Sequence, residues 1–586
     1  MDIEEDFMTM FNYKADESIG TVESVDTGTV VVHVENEEKL KVLQVNQLVA
    51  LRSSKVGQFL IGLVVKIMRK TSPEPIYLDM PDNGSIIENV MKVTLIGTHI
   101  DKVGAKPNVF KRTLETVPEI NAECFVITGE KLTEFMQAIS SLASGNQNPL
   151  SMGKYTLDEE AEAWLDGNKF FQRHAVIVGS TGTGKSWTVA RLIEQVVRLP
   201  SANALIFDIH GEYKNLADEI ETIEYLRIAG PSDEDVENNV FLPYWLLTYE
   251  EMIAMMLDRS DNNAPNQARA FFETVIEAKK SKLEDENKTD ILNNFTIDSP
   301  LPYELNDVLA KLKQLDGEMV SGTRSGTEKQ GPLFGKLTRF TQRLETKISD
   351  RRLNFLFNSK NQLQDYEWFE NFGQKLMCFE KDAKGVKVID FSEVPSDILP
   401  LIIGLVARIV FSIQQWTQKE ERHPIALFCD EAHLYISEKP TSSVDESASE
   451  NFQRIAKEGR KYGIGLVVIT QRPADVNRTV LSQSNNFIAM RLTNAEDQSV
   501  IKRLFPDSLG DFAELLPILD VGEALIVGDA SLLPSRIKVT EPTVKPQSAT
   551  VDFWDEWAKE KNENAIKEAI DSLRKQTKSQ KCREAM

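Results

Sequence analysis

At 586 residues the chain exceeds what one hydrophobic core supports, so two to four structural units are expected. A hydrophobic content of 41% and a charged content of 27% are ordinary for a globular protein, and the four cysteines (Cys124, Cys378, Cys429, Cys582) show no CxxC spacing. This argues against a zinc site or disulfide framework and for a reducing, cytoplasmic setting. The net charge of −23 excludes a generally basic nucleic-acid binder: any DNA contact needs its basic groups gathered on one surface, such as the channel of a ring. A solvated acidic exterior that keeps a large assembly dispersed is the other reading.

The chain starts with the acidic Met1-Asp2-Ile3-Glu4-Glu5-Asp6, unlike a signal peptide. Residues 18–127 carry short β-branched runs at Thr29–Val34, Phe59–Val65 and Met91–Ile96, with turn chemistry at Asp26-Thr27-Gly28 and Asp82-Asn83-Gly84. Residues 1–130 are therefore expected to form a small β-barrel or sandwich with a binding or assembly role. A polar connector, helical in part, is expected over 131–165, and the first part of an α/β core over 166–229. Helical patterns, as in Tyr249–Leu257 and Gln267–Ala278, fill 230–385, and core strands return over 386–540. The apolar run Ile398–Ile413 contains Arg408 and is short for a bilayer, which predicts a buried helix and no membrane association. The charged tail, 541–586, is either a flexible end or an arm that packs on a neighbour.

Gly179-Ser180-Thr181-Gly182-Thr183-Gly184-Lys185-Ser186 is a Walker A loop, set between the apolar run Ala175–Val178 and a helical pattern starting at Trp187. Such a loop turns backbone N–H groups and a helix N-terminus toward the phosphates of ATP, with Lys185 on the β- and γ-phosphates and the Ser186 hydroxyl on Mg²⁺. Trp187 is counted with this nucleotide-binding set. Ile425–Cys429 followed by Asp430 and Glu431 has the form of a Walker B strand. Asp430 would hold Mg²⁺ through its water shell and Glu431 would polarise the attacking water. Asp430-Glu431-Ala432-His433 also spells the DEAH box of another helicase superfamily, but about 245 residues separate Lys185 from Glu431, far more than that arrangement has.

Gln471 ends the strand Leu466–Thr470 and is read as a γ-phosphate sensor or a strand-end cap. Arg460 and Arg173 are candidates to complete an active site in trans, against the alternative of surface salt bridges. Asp208, in Asp208-Ile209-His210-Gly211-Glu212-Tyr213, either approaches the metal's water shell or caps the following turn. The stretch Arg324–Arg352 has eight basic and three acidic residues. It either faces DNA or forms an amphipathic helix, packed through Leu337, Phe340, Leu344 and Ile348.

Together, Arg173-His174, the 179–186 loop, the Asp-Ile-His-Gly-Glu-Tyr segment at 208–213, Asp-Glu-Ala-His at 430–433, Glu-Gly-Arg-Lys-Tyr-Gly at 458–463 and Thr-Gln-Arg-Pro at 470–473 resemble the HerA branch of the HerA/FtsK ATPases. The resemblance runs from about residue 15 to 540. It implies an α/β fold with a RecA-like parallel-sheet P-loop core, a helical insertion and an N-terminal HAS barrel. It also implies a homo-hexamer with nucleotide between subunits and duplex DNA in its pore. By position, Lys185, Ser186, Asp430 and Glu431 match the family's catalytic core. Arg173 and Arg460 match its arginines that reach a bound or neighbouring nucleotide, Asp208 its extra acid and Gln471 its sensor. The family's barrel rim commonly docks an effector, a nuclease or, in antiphage defence, a sirtuin-like NAD-consuming protein. Two functions follow as expectations: a DNA-translocating motor, or an ATP-regulated scaffold that activates such an effector.

Overall fold

β-Branched alternation in the N-terminal segment builds a closed barrel. In the computed structural model, Thr29–Val34 turns Val30, Val32 and Val34 inward, while Val31 and His33 lie on the outer side, the period-two pattern of a half-buried strand. The ring of strands runs Thr29–Val34, Gly20–Asp26, Glu123–Val126, Leu48–Arg52, Gln58–Pro73, Ser85–Ile100 and back to Thr29–Val34. Val109–Lys111 is appended to Ser85–Ile100. The interior is filled by Val22, Val30, Val32, Val49, Leu51, Leu60, Val64, Met91 and Val93. The structure describes residues 11–73, 85–101, 109–143, 148–234, 239–321, 328–357, 360–380, 383–506, 509–548, 553–559 and 565–576. The acidic start, the Asp82-Asn83-Gly84 turn, Arg324 and Cys582 lie outside the described residues.

The chain divides into two compact units. The first comprises Met1–Gln195, Gln471–Ala474 and Ser484–Thr543, and so holds the barrel. It also holds a sheet in which Ala175–Val178 lies parallel to Asn486–Met490. That sheet continues antiparallel through Glu523–Gly528, Ser535–Val539, Leu150–Tyr155 and Asp158–Leu165. The connector expected over 131–165 is thus a helix, Gly129–Ala143, followed by a β-hairpin that belongs to the core sheet. Its strand period was hidden by charge: Ala161, Ala163 and Leu165 are buried, but Glu159, Glu160 and Glu162 occupy exposed positions among them. Arg112 fastens the barrel to the sheet's last loop. Its Nε donates to the Leu532 carbonyl at 2.9 Å, and its Nη2 donates to the carbonyls of Gly528 and Ser531.

The second unit comprises Val196–Thr470, Asp475–Gln483 and Val544–Met586. Five parallel strands stand in the order Ile223–Arg227, Val386–Asp390, Ala204–Asp208, Ile425–Cys429 and Ile464–Thr470. The last four are buried along their whole length, which is why they read as unbroken apolar runs rather than as alternations. The helices Tyr249–Met256, Ala264–Asp285, Leu305–Gly317, Thr338–Ser349 and Trp368–Leu376 fill the expected helical block.

The basic stretch takes the packed reading. Leu337, Phe340 and Leu344 are buried, and Arg343 and Lys347 pair with Asp258 and Asp397 at 2.7 and 3.8 Å. Leu399–Trp416 is the one helix among the described residues long and apolar enough to cross a membrane, and 72% of it is buried in the protein. Arg408 inside it meets Glu251 through two bonds of 2.8 Å and reaches the Leu246 carbonyl at 2.7 Å. Removing one partner of such a pair leaves an uncompensated charge. Glu251→Ala is therefore expected to lose about 3 kcal/mol in urea unfolding; a loss below about 0.5 kcal/mol, the scale of an ordinary surface change, contradicts that reading. The tail forms two short helices, Phe553–Trp557 and Ala565–Lys575, with exposed Trp554, Trp557 and Ile566.

Candidate nucleotide site

The phosphate loop follows the buried strand Ala175–Val178 and opens the helix Lys185–Val196. Gly182 and Gly184 hold φ values of +75° and +100°, a region that side chains avoid. A Cβ on Gly179 would stand 2.6 Å from Thr183 Oγ1 and 2.9 Å from Met490 Cβ. The loop is held from inside by Thr183 Oγ1, which donates to the Ser180 carbonyl at 2.8 Å. From outside it is held by Ser180 N–H on Arg491 O and Gly522 N–H on Thr183 O, both at 2.9 Å. The first turn of the helix carries no acidic residue, so nothing there opposes an anion at the dipole's positive end. Lys185, Ser186 and Trp187 are half-buried at this terminus. Thr181 Oγ1 donates to Gln471 Oε1 at 2.7 Å, which places Gln471 against the loop.

In the second unit, Asp430 and Glu431 follow the strand Ile425–Cys429 and are only 4% and 8% exposed. Glu431 takes a left-handed backbone, φ +43° and ψ +44°, a conformation that costs a non-glycine residue about 1–3 kcal/mol and clusters at functional sites. Its N–H donates to Asp430 Oδ1 at 3.0 Å, and the Tyr435 hydroxyl donates to the Asp430 carbonyl at 2.9 Å. His433 Nδ1 lies 3.2 Å from both Glu431 Oε2 and Thr470 Oγ1. The histidine of the Asp-Glu-Ala-His string thus lies beside the glutamate and bonds to Thr470.

Asp208 caps the turn that follows it. Its Oδ1 accepts from Gly211 and Glu212 N–H at 2.8 and 3.0 Å, and its Oδ2 from Tyr213 N–H at 2.9 Å. The carboxylate is wholly buried in its own turn. Burial pushes its pKa up to about 7 against the pull of these N–H groups, with neighbouring Asp390 adding to the rise. The turn delivers Tyr213, whose buried hydroxyl lies against Asp430; burial first, then that carboxylate, raise the phenol's pKa well above its ordinary value. The sequence reading missed Tyr213 because only the folded turn brings it to the Walker B acid.

The two arginines differ. Arg460, in the 3₁₀ turn Gly459–Tyr462, is exposed and has no carboxylate partner among the described residues. Arg173 pairs with Asp529 through its Nη1, the salt bridge that was its alternative reading. It also precedes Ala175–Val178, so about 13 Å of strand separates it from the loop at the other end.

Residues 150–410 match the family model described as the helicase HerA central domain, and residues 405–576 match the HerA-like C-terminal model. The chain belongs to the HerA family. It is an ATP hydrolase of helicase type. Among its HerA-family relatives, the DNA double-strand break repair helicase HerA of Sulfolobus acidocaldarius is 27% identical over 398 residues, 67% of this chain and 70% of that one. The protein of the same name from Saccharolobus solfataricus is 26% identical over 413 residues, 69% and 71% of the two chains. Among solved structures, VirB4 of Thermoanaerobacter pseudethanolicus aligns over 67% of this HerA-family chain and 97% of its own, at 16% identity and a TM-score of 0.45.

Proposed function

We propose that this chain forms a homo-hexameric ring that hydrolyses ATP to move along, or unwind, duplex DNA, with an effector protein docked on the N-terminal barrel. The observation that carries the reading is the 2.7 Å bond between Thr181 of the phosphate loop and Gln471. It fits a residue that senses the γ-phosphate and responds to its loss. That the archaeal relatives are DNA double-strand break repair helicases supports DNA as the track.

In this reading Gly179–Ser186 and the helix terminus bind the phosphates, Lys185 neutralises them, and Glu431 orients and polarises the attacking water. Trp187 flanks the bound nucleotide. The Ser186 hydroxyl and the Asp430 carboxylate are oxygen donors of the kind Mg²⁺ takes. The ion, when bound, offsets charge on the β- and γ-phosphates. Arg460 serves the nucleotide of the adjacent subunit; so does Arg173, which its strand keeps from its own.

The test is ATP hydrolysis by the full chain, alone and with linear duplex DNA, across a salt series. Stimulation that fades with salt is expected, because each neutralised phosphate lowers log K by about 0.9 per decade of salt. Hydrolysis indifferent to DNA at every salt overturns the motor. It then favours the ATP-regulated scaffold for a nuclease or sirtuin-like effector in antiphage defence. The charge of −23 and the acid-paired basic residues of the helical block favour that second reading.

A further inference from the structure

The barrel and the edge of the sheet remote from the phosphate loop share one carboxylate. Asp529 Oδ2 pairs with Arg173 Nη1, and Asp529 Oδ1 stands 3.6 Å from Arg112 Nη1. Asn485 closes the knot: its Nδ2 donates to Asp529 Oδ2 at 3.3 Å and its N–H to the Arg173 carbonyl at 2.9 Å. These groups come from four separate places in the sequence, and two of them start strands that end at the phosphate loop. Asn485 leads into Asn486–Met490, whose Met490 lies against Gly179, and Arg173 leads into Ala175–Val178.

Both arginines are about 40% exposed and Asp529 is 31% exposed, so the pairs add little to stability. Their content is positional. A guanidinium is a rigid fork whose direction is set by the acid it meets. Arg112 is already fixed by the carbonyls of Gly528, Ser531 and Leu532, so an acid that stands between the two forks ties the aim of Arg173 to the place Arg112 takes with the barrel.

We propose that Asp529 is a positioning residue for Arg173, and that by sharing its carboxylate with Arg112 it couples the aim of Arg173 to the seating of the N-terminal barrel. The proposal rests on the reading above in which Arg173 serves a neighbouring subunit's nucleotide. Held by Asp529 through Nη1, Arg173 keeps its remaining N–H groups aimed for a polyphosphate. A shift of the barrel that draws the carboxylate toward Arg112 loosens that hold and loses the aim.

The test is steady-state ATP hydrolysis by full-length variants, with kcat and KM resolved. Asp529→Asn keeps the shape and removes the charge. It is expected to lower kcat by about 10²-fold, the effect of a misplaced group, and to leave KM unchanged, as for an interaction made only in the transition state. Asp529→Glu, which keeps the charge, should recover part of that loss. Arg112→Met should lower kcat less, and in combination with Asp529→Asn it should add nothing, because both changes cut the same link.

Unchanged kcat in Asp529→Asn while Arg173→Ala is impaired overturns the positioning role and spares the reading beneath it. Unchanged kcat in Arg173→Ala itself overturns both. Full additivity of Arg112→Met with Asp529→Asn overturns the link to the barrel. If Asp529→Asn does not fold, Arg112→Met and Asp529→Glu decide: parent-like kcat in both overturns the proposal.

Discussion

Glu431→Gln is expected to bind ATP as the parent does and to lose about 10²–10⁴-fold in kcat, the range for removing a general base. The amide keeps the size of the side chain and gives up the charge that polarises water. The site's frame should survive, because the Glu431 backbone is fixed by its N–H on Asp430 and by the 3₁₀ turn Ala432–Leu434. Nucleotide affinity measured by calorimetry and turnover measured by phosphate release separate the two effects. Equal turnover in variant and parent would sink the assignment of Glu431, and loss of affinity alone would make it a binding residue.

Arg460→Ala is expected to cost about 10³–10⁵ in rate, the worth of an arginine finger, with nucleotide affinity nearly intact. Its side chain is exposed and has no carboxylate partner among the described residues, so truncation removes no internal contact there. The trans assignment makes a sharper demand. Arg460→Ala subunits retain a whole set of loop and Walker B residues, and Glu431→Gln subunits retain the arginine. Mixing the two inactive proteins should then restore a fraction of the parent's hydrolysis. No recovery at any ratio, in mixtures shown by sedimentation to contain both subunits, contradicts a shared site.

Where a form is carried by local pattern, the sequence was enough. The phosphate loop needs neighbouring residues and a strand-to-helix change, and all of these lie within 175–196. The barrel was legible as short β-branched runs, but Gln58–Pro73 and Ser85–Ile100 are each 16 residues long, longer than their apolar stretches. The hairpin at 150–165 was lost because its solvent face is so acidic that it resembles a linker. Asp208 was ambiguous for a different reason. A carboxylate at a strand end has the same signature whether it turns outward to a ligand or back onto its own turn, and three backbone N–H groups decide the matter only after folding. Tyr213 stood only as the last letter of the 208–213 segment, with no role of its own, and Asp529 had no signature at all. Each owes its place to a partner far away in sequence, Asp430 for one and Arg112 and Arg173 for the other.

The left-handed backbone at Glu431 sets the protein's robustness against its activity. At φ +43° glycine is the residue that sits without strain. A laboratory selection that rewards heat tolerance alone would drift toward glycine there and return a sturdier, inert protein. Under the role proposed for Glu431, the glutamate survives only while turnover itself is under selection, so a glycine at this position in a related chain would mark an ATPase that has become a nucleotide-binding relic.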